Sequence, residues 1–118
     1  MIKVSVRLEF LTPPPIGPTP PPVEPVGLTV KEHTNAYYIL TLAAKENPAY
    51  KFTTIEQQPY GHFVTSIDGV YEDKVNGKYW MMYSDPDTLA PTGIDNFYPK
   101  DGSCTIFKYQ IAKSNIEL

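Results

Sequence analysis

Ile2, Val4, Val6, Leu8 and Phe10 alternate with Lys3, Ser5, Arg7 and Glu9, the period-two pattern of a strand with one buried face. Val26, Leu28 and Val30 resume the alternation. Between them, positions 13–25 hold eight of the thirteen prolines. A segment so poor in backbone donors cannot join a sheet, so it is expected to be an exposed, extended loop of polyproline character linking two strands. Its run Pro18-Thr19-Pro20-Pro21 has the composition of a ligand for an aromatic-lined groove, and equally that of a stiffened surface loop.

From Asn35 the period changes. Tyr38, Leu42 and Lys45 fall at helical spacing, with Ala36, Ile39, Leu40, Ala43 and Ala44 around them. Thr34 or Asn35 can cap the first turn, and Asn47-Pro48 ends the helix because a residue before proline avoids the helical region. Strand patterns return over Tyr50 to Thr54, His62 to Ile67, Lys78 to Tyr83 and Cys104 to Ile111. Asp68-Gly69, Asn76-Gly77 and Asp101-Gly102 supply the turns, since these residues tolerate positive φ. A hairpin, one helix and further strands predict an α+β fold, β-grasp-like, with an antiparallel or mixed sheet carrying one packed helix.

At 118 residues, the length predicts a single domain over 1–118. Ten basic and thirteen acidic residues give a formal charge of -3 with no basic run, which offers a nucleic-acid backbone no electropositive stripe. Cys104 is the only cysteine, so no intramolecular disulfide forms and compartment cannot be read from cysteine usage. The start, Met1-Ile2-Lys3-Val4, lacks an apolar signal core, which leaves an intracellular protein or a mature or excised domain with Met1 added. No apolar run approaches the roughly 20 residues that span a bilayer.

No catalytic constellation emerges. His33 and His62 are the only histidines, and neither has a partner at zinc-ligand spacing. Ser66 lacks the pattern of a nucleophile elbow. Asp85, Asp87 and Asp95 do not follow the spacing of a calcium loop, and a solvated turn is the expected setting for them. The chain is therefore expected not to be an enzyme, and to hold no protein-ligated metal.

The densest aromatic stretch carries a resemblance. Gly61-His62-Phe63-Val64-Thr65-Ser66-Ile67-Asp68-Gly69-Val70, then Tyr79-Trp80, then Gly93-Ile94-Asp95, preceded by Ala43-Ala44-Lys45-Glu46-Asn47-Pro48-Ala49-Tyr50-Lys51-Phe52, resembles the C-terminal β domain of the transcobalamin, intrinsic factor and haptocorrin family over roughly residues 26 to 110. The resemblance implies cobalamin as ligand and a secreted or extracellular setting. It also implies a helical partner domain, or a receptor, that completes the site. In that family the small domain covers one side of the corrinoid, and a cobalt-coordinating histidine, where present, belongs to the helical domain. Tyr60 stands where tryptophan is usual, and the loop from Ser84 to Gly93 is about one residue longer.

Carried onto this sequence, the resemblance implies ligand contacts at Tyr60, Gly61, His62, Val64, Met82, Ser84 and Leu89. Period two adds Ser66 to the face of His62 and Val64, and Trp80 to that of Met82 and Ser84. If these strands are neighbours, they form a shallow apolar and hydroxyl platform suited to a corrin ring with amide arms. The alternatives are core roles for Trp80, Val64 and Met82, with Phe63 and Met81 outward, because pattern does not set register. A module of the same fold that binds protein or glycan is the other reading of this face.

Overall fold

The computed structural model describes residues 1–59 and 61–112. Strand β1 (Ile2–Phe10) pairs antiparallel with β2 (Val26–Val30), and helix α1 (Ala36–Glu46) follows. A 3-10 turn, Pro48–Tyr50, leads to β3 (Phe52–Gln57), β4 (Gly61–Ile67) and β5 (Val70–Tyr71). The chain continues through β6 (Lys78–Asp85), β7 (Thr88–Leu89) and β8 (Cys104–Ile111). Among the described residues, one α-helix with sheets of mixed and antiparallel pairing gives the expected α+β class.

The strands divide between two sheets. The larger has the order β2-β1-β8-β6-β7, and the smaller β3-β4-β5. In the larger, β1 and β8 run parallel, with Val6 opposite Thr105 and Leu8 opposite Phe107, and β6 joins antiparallel, with Met82 opposite Phe107 and Trp80 opposite Tyr109. Opposed residues share a face, so Val6, Leu8, Phe107, Tyr109, Trp80 and Met82 form one apolar surface. Phe10 meets Trp80 edge-on at 5.6 Å between ring centroids, a favoured aromatic geometry.

Helix α1 covers the β1 and β2 end of this surface. Ala36, Ile39, Leu40 and Ala43 are buried, at the i, i+3, i+4, i+7 spacing of a single helical face. Complete burial of Ile39 and Leu40 contributes about 1.5–3 kcal/mol each. Asn35 caps the helix through Oδ1, which accepts from the Tyr38 N–H at 2.9 Å. Asn47 closes it with its backbone N–H on the Ala43 carbonyl, and its side chain starts the 3-10 turn by accepting from the Ala49 N–H at 3.0 Å.

Tyr50, expected to begin a strand, ends that turn instead and is fully buried. Its hydroxyl lies 2.7 Å from the Glu24 carbonyl and 3.1 Å from that of Val6. This contact ties β1 to the end of the proline-rich segment, whose residues 13–25 carry no strand or helix.

Two side chains join the sheets. Trp80 Nε1 donates to the Val70 carbonyl at 2.8 Å, and the Tyr109 hydroxyl donates to the Tyr71 carbonyl at 2.7 Å. Both carbonyls belong to β5, so the small sheet hangs from the large one by buried or half-buried polar contacts that would otherwise go unmet. No helix among the described residues is long and apolar enough to cross a membrane.

Candidate functional site

Where β4 of the small sheet passes β6 of the large one, the inner apolar surface is left uncovered by the helix. A groove of about 270 Å³ opens there. Val64 and His62 line one side, Trp80, Met82 and Phe107 form the floor, and Leu89 to Ile94 bound the far side. The Ala90 N–H donates to the Met82 carbonyl at 2.9 Å, which holds the far wall against the floor.

Register explains which expected contacts meet here. Trp80 and Met82 are each only 8% exposed and belong to the core, yet their outer atoms reach the groove. The choice between core and platform therefore dissolves for these two residues: they are the core at its open end. Val64 is half-buried and packs against that core, while Phe63, 40% exposed, and Met81 also line the groove. Leu89 is 49% exposed at the rim.

Two residues depart from the expected grouping. Thr53 pairs with Ser66 and Thr54 with Val64, so Thr65 is an extra residue in β4. Such a bulge breaks the period of two. Ser66 is accordingly buried, 2.6 Å from the Thr53 hydroxyl, and takes no part in the groove. Ser84 also lies outside it, at the irregular β6–β7 pairing, where its hydroxyl donates to the Thr88 carbonyl at 3.3 Å. Nor are β4 and β6 hydrogen-bonded neighbours in one platform, since they belong to different sheets. Tyr60 lies outside the described residues.

Gly61 and His62 are organised by Asp95, which is not the solvated turn residue expected from its neighbours. One carboxylate oxygen of Asp95 accepts the His62 backbone N–H at 2.9 Å. The two oxygens stand 3.0 and 3.1 Å from His62 Nδ1. Gly61 has φ +85°, and a Cβ there would overlap the same carboxylate. The imidazole stacks on Tyr37, with centroids 4.2 Å apart and planes 17° apart, and Tyr37 meets Phe52 edge-on at 5.9 Å.

The loop carrying Asp95 is held by the start of α1. The Ala36 N–H donates to the Phe97 carbonyl at 2.8 Å and the Tyr37 N–H to the Ile94 carbonyl at 3.0 Å. Asn35 Nδ2 adds a bond to the Asp95 carbonyl at 3.2 Å. The first backbone donors of a helix have no partner within it, and here they fix a groove wall. Sequence reasoning missed Asp95, Tyr37 and Phe107 as site residues. The Gly93-Ile94-Asp95 run, with an apolar residue beside an acid, was the available signal for the first.

Comparison with known proteins places this geometry in context. A family model described as a domain of unknown function (DUF4430) matches residues 37–110, which include all but the first residue of α1, and β4, β6 and the groove. A Drosophila melanogaster protein, CG3556, is 26% identical over 96 residues, covering 72% of this chain and 16% of that protein. The chain thus spans a small part of that relative. The crystal structure of haptocorrin in complex with cobinamide aligns with a TM-score of 0.74 at 17% identity, over 94% of this chain and 26% of haptocorrin. A candidate metal-binding protein of Ruminococcus gnavus aligns with a TM-score of 0.62 at 12% identity, over 96% of this chain and all of that one. At such identities the likeness is one of fold, and the fold is transcobalamin-like.

Proposed function

We propose that this chain, which belongs to the DUF4430 family, is a non-catalytic binding module whose groove between β4 and β6 covers one side of a corrinoid. The observation that carries the reading is the core left open at one end. Trp80, Met82, Phe107 and Val64 present apolar surface at the groove, and His62 on its wall adds a polar group fixed by Asp95. Apolar surface of this kind suits the edge of a flat macrocycle, and fixed polar groups suit its amide arms.

Size supports a capping role. Pockets that enclose drug-sized ligands run from about 300 to 1,000 Å³, and a corrinoid is larger than most such ligands. A groove of about 270 Å³ holds one edge or one arm. The rest of the ligand requires a second element, a helical partner domain of the same or another chain. That arrangement accords with a secreted carrier of vitamin B12, in which a receptor could engage the assembled complex.

Titration with cyanocobalamin and cyanocobinamide, followed by Trp80 fluorescence and calorimetry, tests the reading. Saturable quenching is the expected result. Absence of saturable binding at millimolar ligand, by this chain alone and by this chain together with a helical partner domain, would sink it. One observation favours a second reading, an extracellular module that binds protein. Ile55 and Phe63 oppose each other across β3 and β4 and are 42% and 40% exposed, an apolar pair on the small sheet.

A further inference from the structure

The line of β2 stops short of the end of β1. Their ladder closes at Val6 opposite Val26, while β1 continues through Arg7, Leu8 and Glu9 to Phe10. Bonds at either end show which way these residues face. The Ser5 N–H donates to the Ser103 carbonyl at 3.0 Å and the Leu11 N–H to the Tyr109 carbonyl at 2.8 Å, so odd residues of β1 bond towards β8. Even residues point to the β2 side by the period of two, as the Val6 carbonyl does in meeting the Tyr50 hydroxyl. Leu8 and Phe10 therefore each direct an N–H and a C=O to that side, beyond the last rung. Neither makes a backbone bond there among the described residues.

The chain's own next segment is unable to fill the place. Continuing the register of β2 would set Glu24 opposite Leu8 and Pro22 opposite Phe10, and proline has no N–H to give. The Tyr50 hydroxyl, 2.7 Å from the Glu24 carbonyl, occupies the acceptor that the Leu8 N–H would need. A groove of about 480 Å³ opens instead between the strand edge and the proline-rich segment. Residues 7–11 line it in unbroken succession, which places it along the edge of β1 rather than on one face of the sheet. Pro20, Pro22 and Val23 form the opposite wall.

We propose that this groove takes an extended peptide segment of a partner protein, which adds to β1 as a short antiparallel strand in the line of β2. Unpaired donors and acceptors on alternate residues match an extended backbone, and backbone pairing with pockets for alternate side chains is an established mode of peptide recognition. Residues opposite Leu8 and Phe10 would share their inner face, where Phe10 and Val23 are half-buried against the core, so apolar side chains suit those positions. The residue between them would lie beside the Arg7–Glu9 ion pair and suits a hydroxyl or other polar group. The proline wall leaves no room for the edge of a second folded sheet, so the occupant is a single free strand. This does not rest on the corrinoid reading, since the two grooves share no lining residue.

The test uses the full chain with a short, end-blocked peptide alternating threonine and valine, and with its leucine counterpart. Calorimetry reads affinity, and amide hydrogen exchange followed by NMR reads the place. In the free chain the Leu8 and Phe10 amides are expected to exchange faster than those of Ser5 and Leu11, which are bonded to Ser103 and Tyr109. Peptide is expected to bind saturably and to slow exchange at Leu8 and Phe10. N-methylation of two valines is expected to weaken it about 5- to 150-fold, the loss of two backbone hydrogen bonds. No saturable binding by either peptide at millimolar concentration, slowed exchange only at other strands, or affinity indifferent to N-methylation overturns the proposal. So does protection of Leu8 and Phe10 in the free chain that is lost on dilution together with a dimer in light scattering, which would give the edge to a second copy of this chain.

Discussion

Gly61 leaves open the space that the Asp95 carboxylate fills. A side chain at Gly61 would meet that carboxylate, and φ +85° there is a conformation L residues rarely adopt. Close approach, rather than turn geometry alone, accounts for glycine at the start of β4.

Gly61→Ala should therefore destabilise the protein by more than conformational strain, and free His62 from Asp95. Gly69 gives the comparison, with φ +74° and nothing within 4 Å of an added Cβ. Gly69→Ala should lose about 1–2 kcal/mol, the usual penalty for left-handed backbone, and Gly61→Ala measurably more. Urea unfolding of both variants decides this, and equal losses would show that the Asp95 contact is unimportant.

Alkaline pH offers a probe of Tyr50. Burial, with Cys104 and Glu24 nearby, pushes its phenol up from the ordinary 10.0 to about 12. Because the folded state disfavours the phenolate, the stabilisation is complete below about pH 10 and is lost as pH rises towards 12. Burial raises Tyr109 in the same direction. Tyr50→Phe should lower stability near neutrality by about 1–3 kcal/mol, because the carbonyls of Glu24 and Val6 lose a donor. It should also flatten the alkaline limb. Denaturant midpoints between pH 8 and 11 check both effects, and an unchanged limb would mean that Tyr50 does not contribute to it.

The helix was legible from residues 35 to 48 because capping and termination are local chemistry, and Asn35 and Asn47 perform both roles as expected. Alternation in β1 was equally local. Its parallel pairing with β8 was not, since it joins residues about a hundred positions apart and no turn encodes it. Ser66 was assigned to the wrong face because a bulge at Thr65 leaves no mark in a run of small polar residues. Asp95 was invisible as a site residue because its role depends on a histidine 33 positions away. Met82 read as either core or contact, and the pattern could not separate the two because the core itself opens at β6.

Asn35 joins two functions that a single substitution can separate. Its Oδ1 caps the helix at Tyr38, and its Nδ2 holds the Asp95 carbonyl. Asn35→Ala should lose about 0.5–2 kcal/mol as a cap and also weaken corrinoid binding, by loosening the wall that carries Asp95. Asn35→Asp keeps the capping oxygen but has no Nδ2 donor, so it should recover much of the stability without recovering affinity. Thermal unfolding and ligand titration on the same two variants read the two effects. Parallel recovery in both would place the contribution of Asn35 in the helix alone.

Leu89 and Met82 separate ligand contact from core. Leu89 is 49% exposed at the groove rim and Met82 is 8% exposed in its floor. Leu89→Asp puts a charge where water already reaches, so folding should be almost unaffected while an apolar ligand edge is repelled. Met82→Asp buries an unpaired carboxylate beneath the groove and should unfold the protein. Met82→Ala, at a loss of about 2–5 kcal/mol, is the milder variant. Binding that survives Leu89→Asp in a folded protein would move the ligand off this groove.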